Sequence, residues 1–135
     1  MLDVECYCTL ARRSARALTD FYDAALAPSG LRVTQYSLLR MIERMETPSL
    51  TELAEATGLD RSTLGRNLRV MEKAGFVVTH QGEDERTRIV ELGAKARRAL
   101  KVARPLWTRV QTKIASAVPE ETRQHLRILV QAVES

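Results

Sequence analysis

The chain has 135 residues, 44% of them hydrophobic and 4% aromatic, with 21 Lys and Arg against 17 Asp and Glu for a formal charge of +4. That length suits one domain with extensions, and a composition rich in Leu, Ala, Arg and Glu favours a mainly α fold, while the basic balance suits a polyanionic partner. No apolar run is long enough to span a bilayer and the N-terminus lacks a signal-peptide pattern, so a cytoplasmic protein with no membrane partner is expected.

From about Val4 to Leu26, the residues Val4, Cys8, Ala11, Ala15, Leu18, Tyr22 and Ala25 recur at spacings of three and four, which is one face of a helix. Ala27-Pro28-Ser29-Gly30 ends it. A second helix is predicted from a Thr34 cap through Met45, burying Tyr36, Leu39, Ile42 and Met45, and closed by Thr47-Pro48.

The stretch SLTELAEATGLDRSTLGRNLRVMEKAGFV holds a short helix capped at Ser49 or Thr51, a turn at Thr57-Gly58-Leu59-Asp60, and a longer helix ending before Gly75. Two helices joined by a glycine-containing turn form a helix-turn-helix pattern. Leu50, Leu53, Ala54 and Leu59 are expected to pack inward, with Glu52 and Glu55 facing water. In the longer helix Leu64, Leu68 and Met71 share one face, and Ser62, Arg66, Arg69 and Lys73 share the opposite one. Such a helix has an apolar back to anchor it and a cationic, hydroxyl-bearing front. Arg66 can fork onto guanine O6 and N7, and Ser62 and Thr63 can reach phosphates or base edges.

Next come two β-branched runs, Phe76–His80 and Arg88–Leu92, separated by a polar segment with Glu83, Asp84 and Glu85, which predicts a hairpin. A hairpin directly after such a helix is a wing whose tip can place an arginine in the minor groove, and Arg86 and Arg88 are the candidates. Asp84 is expected to orient Arg86 rather than touch DNA. Helical patterns resume at about 94–117, despite Pro105, and at 120–133, where Leu126, Leu129, Val130 and Val133 form an apolar stripe.

In this order of elements, LTELAEATGLDRSTLGRNLRVMEKAGFV with GEDERTR in the wing, the chain resembles the MarR family of transcription regulators over nearly its whole length. The resemblance implies a winged helix-turn-helix with a two-stranded β wing and a dimerisation region made by the terminal helices. It divides the chain into a dimerisation helix (1–33), a DNA-binding region (34–92) and C-terminal helices (93–135). It further implies a homodimeric regulator, usually a repressor, that binds a pseudo-palindromic double-stranded operator and is released by a small aromatic or phenolic effector. By this resemblance Ser62, Thr63, Arg66 and Asn67 fall in the recognition helix, and Asp84 and Arg86 match the family's acidic-x-arginine wing motif; with Arg61, Arg69 and Arg88 they make up the expected DNA-binding site. One departure follows the wing, where the family often has threonine and then glycine three residues later, and this chain has Gly93 and Ala96.

The separation of Cys8 from Tyr22 resembles that in the family's organic hydroperoxide-sensing branch, although the branch's second tyrosine falls here at Val33. Fourteen helical residues span about 21 Å, so this pair can meet only across a dimer interface. Otherwise Cys8 is a small apolar residue on the buried stripe. Cys6, about 200° away around the helix, has a different role, and two cysteines this close make neither a disulfide framework nor a zinc site. His80 and His125 stand alone, without a HExxH pattern, and no nucleophile with a base is apparent, so neither an enzyme nor a cofactor or metal is expected. The remaining alternative is a winged helix that binds protein rather than DNA.

Overall fold

A computed structural model describes residues 5–84 and 87–134. Among them the elements run α1 (Tyr7–Leu26), a 3-10 turn (Ala27–Ser29), α2 (Val33–Met45), α3 (Leu50–Thr57), α4 (Arg61–Lys73), β1 (Val77–Gln81), β2 (Arg88–Leu92), α5 (Ala94–Ala117) and α6 (Thr122–Glu134). The mainly α winged helix-turn-helix expected from the sequence is the fold observed.

One continuous core joins these elements. Leu26 at the end of α1, Leu39 and Ile42 of α2, Leu53 of α3, Leu64 of α4 and Val90 of β2 are all fully buried, and Leu100 and Ala103 carry the core into α5. Burying a Leu or Ile side chain contributes about 1.5–3 kcal/mol, so this cluster is what fixes α4 against its neighbours. Helix α1 lies along α5, and α5 continues through Pro105. Helix α6 buries no residue, and Leu126 and Val130 are half exposed.

Several boundaries differ from the sequence reading, each for a tertiary reason. Helix α2 starts at Val33 rather than after a Thr34 cap, because the Val33 amide donates to Asp23 Oδ1 of α1 at 2.7 Å and the Arg32 amide donates to Gln35 Oε1 at 2.9 Å. Strand β1 starts at Val77 because Phe76 completes the end of α4, its amide donating to Met71 O at 2.9 Å. Leu59, expected inside, is 37% exposed, since the left-handed turn at Gly58 points the chain outward before the cap of α4. Helix α6 begins at Thr122, two residues later than read, behind a turn in which the Thr122 amide donates to Pro119 O. Val4 of the expected first helix lies outside the described residues.

The departure at Gly93 also has a structural cause. Its amide donates to Phe76 O at 2.9 Å, and a Cβ there would stand 3.0 Å from the Gly75 carbonyl oxygen. Position 93 is therefore crowded, and α5 starts without a side-chain cap.

Candidate nucleic-acid interface

The helix-turn-helix is built by caps. Ser49 Oγ accepts the Glu52 amide at 3.1 Å while Glu52 Oε1 accepts the Ser49 amide at 3.0 Å, a reciprocal capping box that starts α3. Gly58, at φ 73°, ends α3. Two residues later Asp60 caps α4, its carboxylate accepting the Thr63 amide at 2.8 Å and the Thr63 hydroxyl at 3.0 Å. The backbone amides of Thr63 and Ser49 hold the carboxyls of Asp60 and Glu52 below their ordinary range.

Helix α4 is anchored at its other end as well. The Gly75 amide donates to Glu72 O and the Phe76 amide to Met71 O, the paired bonds of a Schellman motif, with Gly75 in the left-handed conformation at φ 83°. Lys95 of α5 then donates to Ala74 O at 2.7 Å and lies 4.8 Å over the Phe76 ring, placing a cation at the negative end of the helix.

Leu64, Leu68 and Met71 are buried as expected, and Arg61, Ser62, Arg66, Asn67, Arg69 and Lys73 are all exposed. Among the described residues, Arg61, Arg66, Arg69 and Lys73 have no ion-pair partner. Thr63 is half-buried because its hydroxyl serves the Asp60 cap; Arg66 Nη2 reaches that hydroxyl at only 3.4 Å. The α4 front is thus a row of exposed cations without ion pairs among the described residues, on a helix held at both ends.

The wing pairs β1 with β2 antiparallel, Val77 opposite Leu92 and Gln81 opposite Arg88. Its inner strand is tied to the chain before α3, where the Val90 amide donates to Pro48 O at 2.9 Å and Ser49 bridges Ile89. Arg88 is exposed, and its Nη2 donates to Thr79 Oγ1 at 3.0 Å; the Thr79 hydroxyl in turn donates to Glu72 Oε2 of α4 at 3.1 Å. This relay from helix to wing was missed in the sequence, where Glu72 and Thr79 stand seven residues apart with no shared periodicity. At the tip, the Gly82 amide donates to Thr87 O and the Thr87 amide to Asp84 O. Arg86, and with it the expected Asp84–Arg86 pairing, lies outside the described residues. His80 is exposed, 3.3 Å from Glu91 across the hairpin, and His125 is exposed on α6.

The thiol candidates lie elsewhere. Cys6, at the N-cap of α1, and Cys8, in its first turn, are free and exposed in the single chain, which does not itself cover the stripe that carries Cys8. Arg12 Nη2 donates to Cys8 Sγ at 3.3 Å, and the Thr9 amide holds the Cys6 thiol below its ordinary range. The Tyr22 hydroxyl, pushed up by burial, donates to Gln111 Oε1 of α5 in the same chain. No helix among the described residues is long and apolar enough to cross a membrane, and no cluster of His, Cys, Asp or Glu among them could hold a metal ion.

Comparison with known proteins places this geometry. A model of the MarR family matches residues 29–87. The fold is similar to that of the M. tuberculosis transcriptional regulator MosR in complex with DNA, with a TM-score of 0.89 and 43% identity over 96% of this chain and 97% of that one. A second crystal structure of M. tuberculosis MosR gives a TM-score of 0.83 and 42% identity, over 96% of each chain. A mutant MarR from E. coli complexed with operator DNA has the same fold, with a TM-score of 0.80 and 17% identity, covering 93% of this chain and 91% of that one. An HTH-type transcriptional regulator of Bacillus subtilis, YwoH, is 29% identical over 84 residues, which are 62% of this chain and 61% of YwoH.

Proposed function

From the premise that this chain belongs to the MarR family of DNA-binding transcription regulators, which are not enzymes, we propose that it is a homodimeric repressor of an inverted-repeat operator. The observation that carries this reading is the front of α4, where Arg61, Ser62, Arg66 and Arg69 stand exposed and without ion pairs on a helix buried along its back. In this reading α4 enters the major groove, Arg66 reads guanine, Ser62 and Asn67 reach base edges or phosphates, and Arg61 and Arg69 meet phosphates. Arg88, with Arg86, serves the adjacent minor groove.

A second copy supplies the other half-site. The apolar residues left uncovered on the terminal helices, Tyr7 and Leu10 of α1 with Leu126, Val130 and Val133 of α6, support a two-fold pairing through these helices. The two recognition helices then lie about 34 Å apart, one turn of duplex. For the effector, a groove of 410 Å³ between α1 and α5, with Phe21, Leu106 and Val110 on its floor and Arg109 and Lys113 beside them, suits a small aromatic or phenolic acid.

The test is selection from a random duplex library by the purified protein, repeated with Arg66→Ala. Enrichment of an inverted repeat whose binding requires Arg66 supports the reading; no enrichment overturns it in favour of a protein partner. A second reading, redox regulation at Cys8, is favoured by the Arg12 guanidinium beside an exposed thiol. There the Cys8 thiolate attacks the terminal oxygen of an organic hydroperoxide, the S–O bond forming as the O–O bond breaks, so that sulfur is oxidised to a sulfenic acid and the alkoxide leaves and takes a proton from water as the alcohol. Loss of operator binding on such treatment, abolished in Cys8→Ser, is the result that supports it.

A further inference from the structure

Gly65 lies in the middle of α4, one turn after Arg61 and one turn before Arg69. Nothing inside the protein asks for glycine there. Its backbone is not in the left-handed region, and a Cβ built at the position meets no atom within 4 Å, so neither conformation nor packing is the reason. Glycine in a helix interior also weakens the helix relative to alanine, through the backbone freedom lost on folding.

The surroundings indicate what fills the gap. By helical spacing, Gly65 lies between the cationic front of Ser62, Arg66 and Arg69 and the edge on which Glu72 reaches the wing. Every unpaired cation of this row draws a polyanion toward the same strip of backbone. We propose that the duplex approaches the α4 backbone directly at Gly65, so that a methyl-sized group of the DNA occupies the space a side chain would take; this rests on the DNA-binding reading above. In the major groove that group is a thymine C5-methyl, and at the groove wall it is a sugar–phosphate edge. Gly65 is thus a DNA-contacting position that acts by what it lacks, and it determines specificity where the group it admits is a thymine methyl.

The experiment compares the full-length protein with Gly65→Ala and Gly65→Leu on the duplex that wild type enriches, alongside thermal melting. Gly65→Ala is expected to melt roughly 2–6 °C higher and to bind at least about tenfold more weakly, with Gly65→Leu weaker still. Replacing each thymine by uracil then separates the two sources. Rescue of Gly65→Ala at one position places a thymine methyl against the helix, and uniform weakness places the sugar–phosphate there. Unchanged or tighter binding by Gly65→Ala overturns the proposal, as does a fall in melting temperature that accompanies the lost affinity. If wild type enriches no duplex, the DNA-binding reading fails and this inference falls with it, whereas enrichment by wild type with unaffected variants removes this inference alone.

Discussion

Arg66 and Asp60 occupy the same helix and answer to different physics. Arg66 projects from the front of α4 without an ion pair among the described residues, so its replacement by alanine is expected to leave melting nearly unchanged while weakening operator binding by about 1–3 kcal/mol. Titration of labelled duplex against wild type and variant, with the guanine position varied, measures this; equal losses on every sequence would reduce Arg66 to a phosphate contact. Asp60 acts through the fold. Its carboxyl titrates below its value in the unfolded chain because the Thr63 amide donates to it, so its contribution is complete above the unfolded pKa and is lost as pH falls through the folded one. Melting temperature is expected to drop on acidification through the carboxylate range, and the drop to shrink in Asp60→Asn, which keeps a capping oxygen without the charge. Arg66 was legible because a period of 3.6 is a local signal, whereas the sequence marks Asp60 only as the end of the turn and its role as the cap of α4 comes from the structure. The exposure of Cys8 was not legible, since a stripe shows which face is apolar and not whether one chain alone covers it.

At the scale of elements, one hydroxyl carries the side-chain relay between α4 and the wing. Thr79→Val keeps a β-branched residue in β1 and deletes both bonds of the Glu72–Thr79–Arg88 relay. The expected outcome is a stability loss of about 0.5–1.5 kcal/mol per bond removed, with weaker operator binding and a salt dependence shallower by about one phosphate contact. Arg88→Ala should give the same binding loss, and the double variant no more than either alone, because they act on one guanidinium. Additive losses would show that Thr79 does not position Arg88. The elements themselves were readable from pattern, yet their ends were not. The start of α2 depends on Asp23 reaching across from α1, and the start of β1 depends on Phe76 being needed by α4, both of them facts of packing rather than of neighbouring residues.

For the whole molecule, the proposed two-fold pairing rests on the uncovered stripe of α6. Val130→Asp, placed on that stripe, is expected to shift the protein to a monomer in sedimentation and to reduce operator affinity at least about hundredfold, while the monomer keeps its helical content. A variant that remains dimeric would place the partner surface elsewhere.

Trp107 is the chain's only tryptophan, and it sits where α5 faces α2. The Arg40 guanidinium lies 5.0 Å over its ring, and the Tyr36 ring is 5.8 Å away. The indole therefore reports, without any label, on the seam between the recognition unit and the long helix behind it. A cation moving off its face changes the emission colour, and a tyrosine drawing away lowers the energy it passes on. Any signal that shifts α5 against α2 has a built-in optical readout.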